Sequence, residues 1–484
     1  MSDVSVVGAG PNGLAAAVIM ARAGLSVRVF EAAGTIGGGS RTKELMEPGH
    51  LHDICSAVHP MALASPFFRS FGLDRRIDLV VPEISYAAPL DGGRAGLAYK
   101  DLERTVEGLG RDGAAYRQLM APLVERSEAV TELLMGSLLS VPRDPVALVR
   151  FGLAVLDQGT AWWNRRFMED AAPALLSGVA AHPVGRMPSL PSAGGGLMLG
   201  TLAHTVGWPI PVGGSQAIAE ALADDLRAHG GKIITGHRVT SLAEVADSRA
   251  VILDVAPSVL LELASDRLPG RYARALERFK YGNAACKVDY ILSGPVPWAN
   301  PEVAHAGTAH LGGTRAELAE AEADVAAGRH PRRPYVLASQ PSGFDPTRAP
   351  AGRHVLWSYC HVPAGSTVDM TEAVTAQIER FAPGFRDLIV DSKVTTAAGL
   401  EAYNANYVGG DFGAGAVTLQ QMLIRPVLSP SPWRTPLPGV YLSSASTPPG
   451  PGVHGMGGQH AAQLALKDVF GLPMPSLAPA AGYN

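Results

Sequence analysis

The sequence predicts an α/β fold in which a parallel-sheet domain, assembled from separated stretches of chain, is interleaved with a second, α+β domain of mixed or antiparallel sheet and helices. Three observations predict it. A valine-rich run, Val4-Ser5-Val6-Val7, leads straight into Gly8-Ala9-Gly10-Pro11-Asn12-Gly13. A second glycine array, Gly450-Pro451-Gly452-Val453-His454-Gly455-Met456-Gly457-Gly458, lies at the other end of the chain. Between about 280 and 425, apolar and polar residues alternate, as in Lys287-Val288-Asp289-Tyr290-Ile291-Leu292 and His354-Val355-Leu356-Trp357-Ser358-Tyr359, the period of an antiparallel sheet.

The first run is the pattern of a strand buried on both faces. A helix of small and apolar residues follows from Leu14 to Ala23, and a second strand from Ser26 ends at Glu31. Strand, glycine turn, helix, strand and acid in this order form a Rossmann dinucleotide fingerprint. Gly8 permits the turn, Gly10 lets backbone approach a pyrophosphate, and Gly13 lets helix and strand pack closely. Amides at the helix N-terminus face the phosphates. Glu31 accepts from a ribose diol, which favours FAD or NAD over NADP. Gly37-Gly38-Gly39-Ser40-Arg41-Thr42 resembles the Gly-Gly pair that supports the pyrophosphate again in FAD enzymes of the glutathione-reductase-like superfamily. An NAD dehydrogenase has no need of it.

Later stretches return to the same domain. Pro211-Val212-Gly213-Gly214 precedes a helix over Gln216–His229 and a strand at Lys232–Thr235. Val239 follows in an extended segment expected beside adenine. Ala250–Asp254 reads as another buried strand, Leu437–Leu442 as turn then strand, and 458–469 as the closing helix. The expected division is 1–85, 209–280 and 426–484 for FAD, with 86–208 and 281–425 for substrate. Tyr116–Leu134 reads as an amphipathic run, Gly194-Gly195-Gly196 as a loop, and the tail after Leu472 as loosely held.

The chain has 484 residues, 47% of them hydrophobic, enough for two domains with cores. A net charge of −4 without a basic block argues against nucleic acid. Cys55, Cys286 and Cys360 form no C-x-x-C, which points away from dithiol chemistry and, with no secretory leader, toward the cytoplasm. No metal site is expected.

These motifs resemble the phytoene desaturase-like family of FAD-dependent oxidoreductases. The resemblance also takes in His52-Asp53-Ile54-Cys55-Ser56-Ala57-Val58-His59-Pro60, Asp345-Pro346 and Gly409-Gly410-Asp411. It implies FAD contacts at Gly8, Gly10, Pro11, Asn12, Gly13, Glu31 and Ala32 for the ADP half. Gly38, Gly39, Ser40, Arg41 and Thr42 then serve the pyrophosphate and ribityl, and Val239 the adenine. Ser446, His454, Gly455 and Met456 serve the flavin side. Two positions depart from the carotenoid-desaturase pattern: Ile36 replaces a basic residue and His454 replaces a proline.

The resemblance implies hydride loss from a C–H bond to flavin N5 with loss of a neighbouring proton, giving C=C in a hydrophobic, isoprenoid or carotenoid-like substrate. C–N oxidation of an amine is the alternative. So are a prenyl-binding protein without catalysis and a redox-neutral polyene isomerase. His454 is the first candidate for acid–base or orienting work, because its segment should pass the flavin ring; holding the loop is the other reading. His59 is the second, with a structural role ahead of Pro60 as its alternative. Tyr281 and Trp298 are placed at the cavity wall by position alone. With no second dinucleotide fingerprint, oxygen, a quinone or another small acceptor is expected to reoxidise the flavin. Apolar runs between Leu133 and Trp163, near Arg143, Arg150, Arg165 and Arg166, suggest either a peripheral membrane contact or helices capping the cavity.

Overall fold

The computed structural model describes residues 2–139, 141–264 and 267–479. In chain order, the elements that position the site begin with β1 (Val4–Val7), α1 (Pro11–Arg22) and β2 (Val27–Phe30). Two strands, β3 (Ile84–Pro89) and β4 (Ala95–Tyr99), then precede five helices, α2 (Gly113–Val124), α3 (Ser127–Leu134), α4 (Pro145–Gln158), α5 (Ala171–Ala180) and α6 (Leu190–Ala203). The chain returns through α7 (Gln216–Ala228), β5 (Lys232–Ile234) and β6 (Ala250–Leu253). Next come β7 (Ala284–Leu292), β8 (Ala306–Leu311), α8 (Arg315–Ala326), β9 (Val336–Ser339), β10 (His354–Val362), α9 (Thr371–Phe381) and β11 (Ile389–Thr395). It closes with β12 (Val440–Leu442) and α10 (Met456–Ala465).

A parallel sheet runs in the order β12-β6-β1-β2-β5. Every residue of β1 and β6 is buried, which is why both read as unbroken apolar runs. Helix α1 is almost wholly buried because α7 and α10 pack on it. Its contact with α10 brings the two ends of the chain together.

The second sheet runs β11-β7-β10-β9-β8-β3-β4, antiparallel except where β8 meets β3. β7 and β10 pair over nine residues, from Ala284 opposite Val362 to Leu292 opposite His354. Cys286, Val288 and Tyr290 face a core shared with α9. Lys287 and Asp289 alternate with them and point to the opposite face, with Tyr359 and Trp357 as their cross-strand neighbours. The three cysteines are free thiols.

Three expectations are corrected. Gly194-Gly195-Gly196 lies inside α6 rather than a loop. α6 packs so closely on α5 that a Cβ at Gly196 would lie 2.8 Å from the Ala180 Cα, so glycine is required there despite its poor helix propensity. The run Tyr116–Leu134 needs no correction: it is helical, in two helices that meet at Glu125-Arg126. The tail is fixed along α1 as far as it is described. Arg22 donates to the carbonyls of Ser476 (3.1 Å) and Ala478 (2.9 Å), and Leu477 is buried; residues 480–484 of that expectation lie outside the described residues. Trp298 packs against the α9-facing core, away from any cavity on the other face.

Candidate functional site

The amino-terminal turn has no space for side chains. Gly8 takes φ +99°, a Cβ at Gly13 would run into the Gly8 carbonyl, and a Cβ at Gly10 would lie 2.8 Å from Asp254 Oδ2. Gly10 caps α1, with Pro11 in its first turn. Asn12 is buried, and its Oδ1 has no partner among the described residues. Glu31 ends β2 beside this turn. Its Oε2 accepts from Ala9 N (2.9 Å), and its Oε1 accepts from Ala33 N (2.8 Å) and Arg41 Nη2 (3.0 Å). Ala32, next to it, is exposed.

The second glycine cluster touches the first. Gly38 adopts φ +54°, and a Cβ on it would sit 3.0 Å from the Gly10 Cα. Ser40 donates to the Gly37 carbonyl (2.8 Å). Buried Arg41 donates to the Thr35 and Ile36 carbonyls (3.0 and 3.1 Å) and lies over Tyr403. Val239 is buried against Val7, Phe30 and Leu253. The segment before it runs beside Glu31, where His237 N donates to the Glu31 carbonyl (2.9 Å).

The far end of the chain closes on the same turn. Gly455 caps α10 in the left-handed region (φ +68°), and a Cβ at Gly458 would collide with the Asn12 carbonyl. Ser446 lies in the loop after β12, where its hydroxyl donates to the Ala414 carbonyl (2.8 Å). Buried Arg425 holds this loop to its neighbour by donating to carbonyls of Ala445, Gly413 and Ala414.

Asp254 was missed in the sequence, although it directly follows a strand of the parallel sheet. Its atoms take up the space a Cβ would need at all three fingerprint glycines, and its Oδ2 accepts from Gly13 N (2.9 Å). Burial, reinforced by nearby Glu31, raises its carboxyl to about 7.

Each candidate histidine has a ring nitrogen engaged by the fold. His454 Nδ1 accepts from Met456 N (3.0 Å), so the proton is on Nε2, 3.2 Å from the Gly450 carbonyl. His454 is fully buried, and burial lowers it to about 4. It therefore shapes the turn into α10. His59 Nε2 lies 2.7 Å from Ser215 Oγ, whose own proton goes to the Ser56 carbonyl. Burial lowers His59 to about 4 as well. The adjoining network joins Thr42, Ser215 and Arg348 to Asp53, and Arg348 also pairs with Asp345 (3.0 Å). That network ties the second glycine cluster to the segment near 345.

Beyond the glycines, the other face of the second sheet supplies an aromatic wall. Trp357, Tyr359, Tyr335 and Tyr407 share one buried cluster with Cys55, Ala57 and Phe412. A Cβ at Gly39 would run into Tyr407 Oη, so the wall begins where the second glycine cluster ends. Lys287 and Asp289 form a buried ion pair on this face, with His52 Nδ1 3.4 Å from Asp289. A Lys and an Asp two apart in an apolar strand were the visible signal for it. Their partner His52 lies more than two hundred residues away in sequence. Tyr281 uses its hydroxyl on Ser258 (3.1 Å).

The donor set fits an extended dinucleotide. It offers a cradle where side chains would collide, a helix N-terminus, an unpartnered Asn12 oxygen, and a carboxylate at the end of the second strand. Among the described residues no group of His, Cys, Asp and Glu could hold a metal, and no helix is long and apolar enough to cross a membrane.

Residues 12–465 match the model of a family described as flavin containing amine oxidoreductase. Pyridine nucleotide-disulfide oxidoreductase domain-containing protein 2 of Rattus norvegicus is 26% identical, over 96% of this chain and 94% of that protein. A 4,4'-diapolycopen-4-al dehydrogenase of Metabacillus indicus is 35% identical over 25% of this chain and 26% of its own. Among solved structures, an oxidoreductase from Methanosarcina mazei has a TM-score of 0.62 at 17% identity, covering 96% of this chain and 99% of the other.

Proposed function

The chain belongs to the flavin containing amine oxidoreductase family and is an FAD-dependent oxidoreductase; from that premise we propose that it removes a hydride from a C–H bond of a hydrophobic, isoprenoid- or carotenoid-like small molecule to form C=C. The aromatic wall of Trp357, Tyr359, Tyr407 and Phe412, adjoining Gly39, carries this reading.

FAD, when bound, supplies the two-electron acceptor. Gly8, Gly10, Pro11, Asn12, Gly13, Glu31 and Ala32 would hold its adenosine and diphosphate half, with Val239 at the adenine. Gly38 to Thr42 would hold the pyrophosphate and ribityl. Ser446, His454, Gly455 and Met456 would meet the ring, where the positive end of α10 favours arriving negative charge. The segments 1–85, 209–280 and 426–484 form the FAD-binding unit of this proposal, and 86–208 with 281–425 the substrate-binding unit. The aromatic wall excludes water from the reacting bond. Oxygen, a quinone or another small acceptor takes the electrons away.

C–N oxidation is the second reading, favoured by the buried carboxylates Asp289 and Glu322 beside the aromatic wall. Anaerobic mixing of the holoprotein with polyprenes, amines and lipophilic alcohols separates the two. The first reading expects loss of visible flavin absorbance with polyprenes or their alcohols. Bleaching by amines alone would overturn it.

We also propose a peripheral membrane contact through α4, whose Val149 (59% exposed), Leu153 (62%) and Leu156 (51%) line one face beside exposed Trp162. Flotation of the protein with liposomes is expected. Complete recovery of protein at the bottom of the gradient would remove this contact.

A further inference from the structure

His361 and Glu322 form a buried pair on the aromatic wall that neither the fingerprint nor the family assigns. His361 lies on β10 and Glu322 on α8, each 1% exposed, with His361 Nδ1 2.6 Å from Glu322 Oε1. A carboxylate oxygen only accepts, so Nδ1 carries a proton, and in the neutral imidazole Nε2 is then a lone-pair acceptor. Nε2 is buried without a partner among the described residues, and so is Glu322 Oε2. Two adjacent buried acceptors therefore lack a donor. A folded protein rarely leaves such groups unfilled, because each costs about 1–3 kcal/mol.

The pair is linked to the cofactor groove by contiguous packing. His361 packs on Tyr359 (centroids 5.7 Å apart), and Tyr359 packs on Phe412 (5.5 Å). Tyr359 and Tyr407 share one cluster with Cys55, and Tyr407 abuts Gly39. On the other side, His361 packs on Tyr335 (5.0 Å). Trp163, Ala180 and Met187 belong to or pack on the same cluster and also line a small cleft with Ser177 and Arg315.

We propose that the His361–Glu322 pair is a binding site for the head group of the substrate, and that this head group bears a proton on nitrogen or oxygen. The inference deepens the function proposed above and rests on it. Two acceptors select an amine or a hydroxyl. A hydrocarbon, ether or ketone has no proton to offer them. The substrate is thus an apolar chain with one proton-donating end. The end binds His361 Nε2 and Glu322 Oε2, and the chain lies along the aromatic wall.

The test uses the holoprotein with farnesol, farnesylamine and farnesene, which share one chain and differ in the head. Binding is read from perturbation of the flavin spectrum under anaerobic conditions. Farnesol or farnesylamine is expected to bind about tenfold more tightly than farnesene. His361→Phe keeps an aromatic ring in the packing and should abolish that difference while leaving farnesene binding unchanged. Glu322→Gln replaces one acceptor by a donor and should reduce the preference severalfold, which serves if His361→Phe does not fold. Equal binding of the three compounds by the wild type would overturn the proposal, as would no binding by any. An equal loss for all three in the variants would do the same, since a bridging water or a purely structural pair predicts it. Head-group selectivity without bleaching of the flavin by any compound would sustain this site while refuting the oxidation proposed above.

Discussion

Glu31 is buried, yet three donors already reach its carboxylate: two amides of its own neighbourhood and the Arg41 guanidinium. A ribose diol arriving at this carboxylate would find it pre-oriented, which lowers the ordering cost of binding. Hydrogen bonds to a charged group contribute about 1.5–3 kcal/mol. Glu31→Ala is therefore expected to weaken FAD binding by about 10–100-fold, measured by fluorescence titration of the apoprotein. Unchanged affinity would remove Glu31 from the site. Asp254 makes a prediction about pH. Its carboxyl rises from 3.8 in the unfolded chain to about 7 in the fold, mainly through burial. The fold thus favours the protonated form. The stabilisation is complete below the unfolded value and is lost as pH rises through about 7. Asp254→Asn keeps an acceptor for Gly13 N and should melt a few degrees higher than the wild type at about pH 8, with a smaller difference at about pH 5. Melting curves that shift equally at both pH values would contradict this. The histidines show what sequence withholds at this scale. Position placed His454 and His59 near a ring, but only the fold shows that Met456 N and Ser215 each engage one of their nitrogens.

Among the elements, the crossing of α1 and α10 decides whether the two chain ends can share a site. A Cβ at Gly458 would collide with the Asn12 carbonyl, and one at Gly457 with the Ser443 carbonyl. Gly458→Ala should destabilise the protein by about 1–3 kcal/mol through overpacking, read from chemical denaturation; an unchanged midpoint would show that the crossing has room to give. Arg348 plays a comparable part between the two sheets. It is fully buried between Asp53 and Asp345. Arg348→Met strands both carboxylates and should cost about 3–5 kcal/mol, and a variant as stable as the wild type would contradict the tie. Strands β1 and β6 were legible because burial on both faces leaves an unbroken apolar run. β7 and β10 were legible because one face differs from the other. Helix α6 was not, because its glycines serve close packing on α5 and look like a loop when only local propensity is read. The break at Glu125-Arg126 was also hidden, since both halves keep apolar residues on the buried side.

At the scale of the molecule, a chain of packed residues links the parallel sheet to the second sheet. It runs from Glu31 through the two glycine clusters and past Tyr407 to the His361–Glu322 pair. The cofactor half of this path was readable because glycine spacing is a local signal with a fixed physical cause. The substrate half was not. Its residues are single positions on β7, β10 and α8, brought together only by sheet register and by helix packing over long sequence separations. The two unfilled acceptors at 322 and 361 became visible only once their surroundings were known.

The central claim is that both ends of the chain close over one FAD. Hydrogen exchange of the apoprotein, followed before and after adding FAD, tests it most directly. One equivalent of FAD is expected to slow exchange together in residues 8–13, 38–42 and 455–458. Protection confined to the amino-terminal segments, with 455–458 exchanging as in the apoprotein, would contradict it.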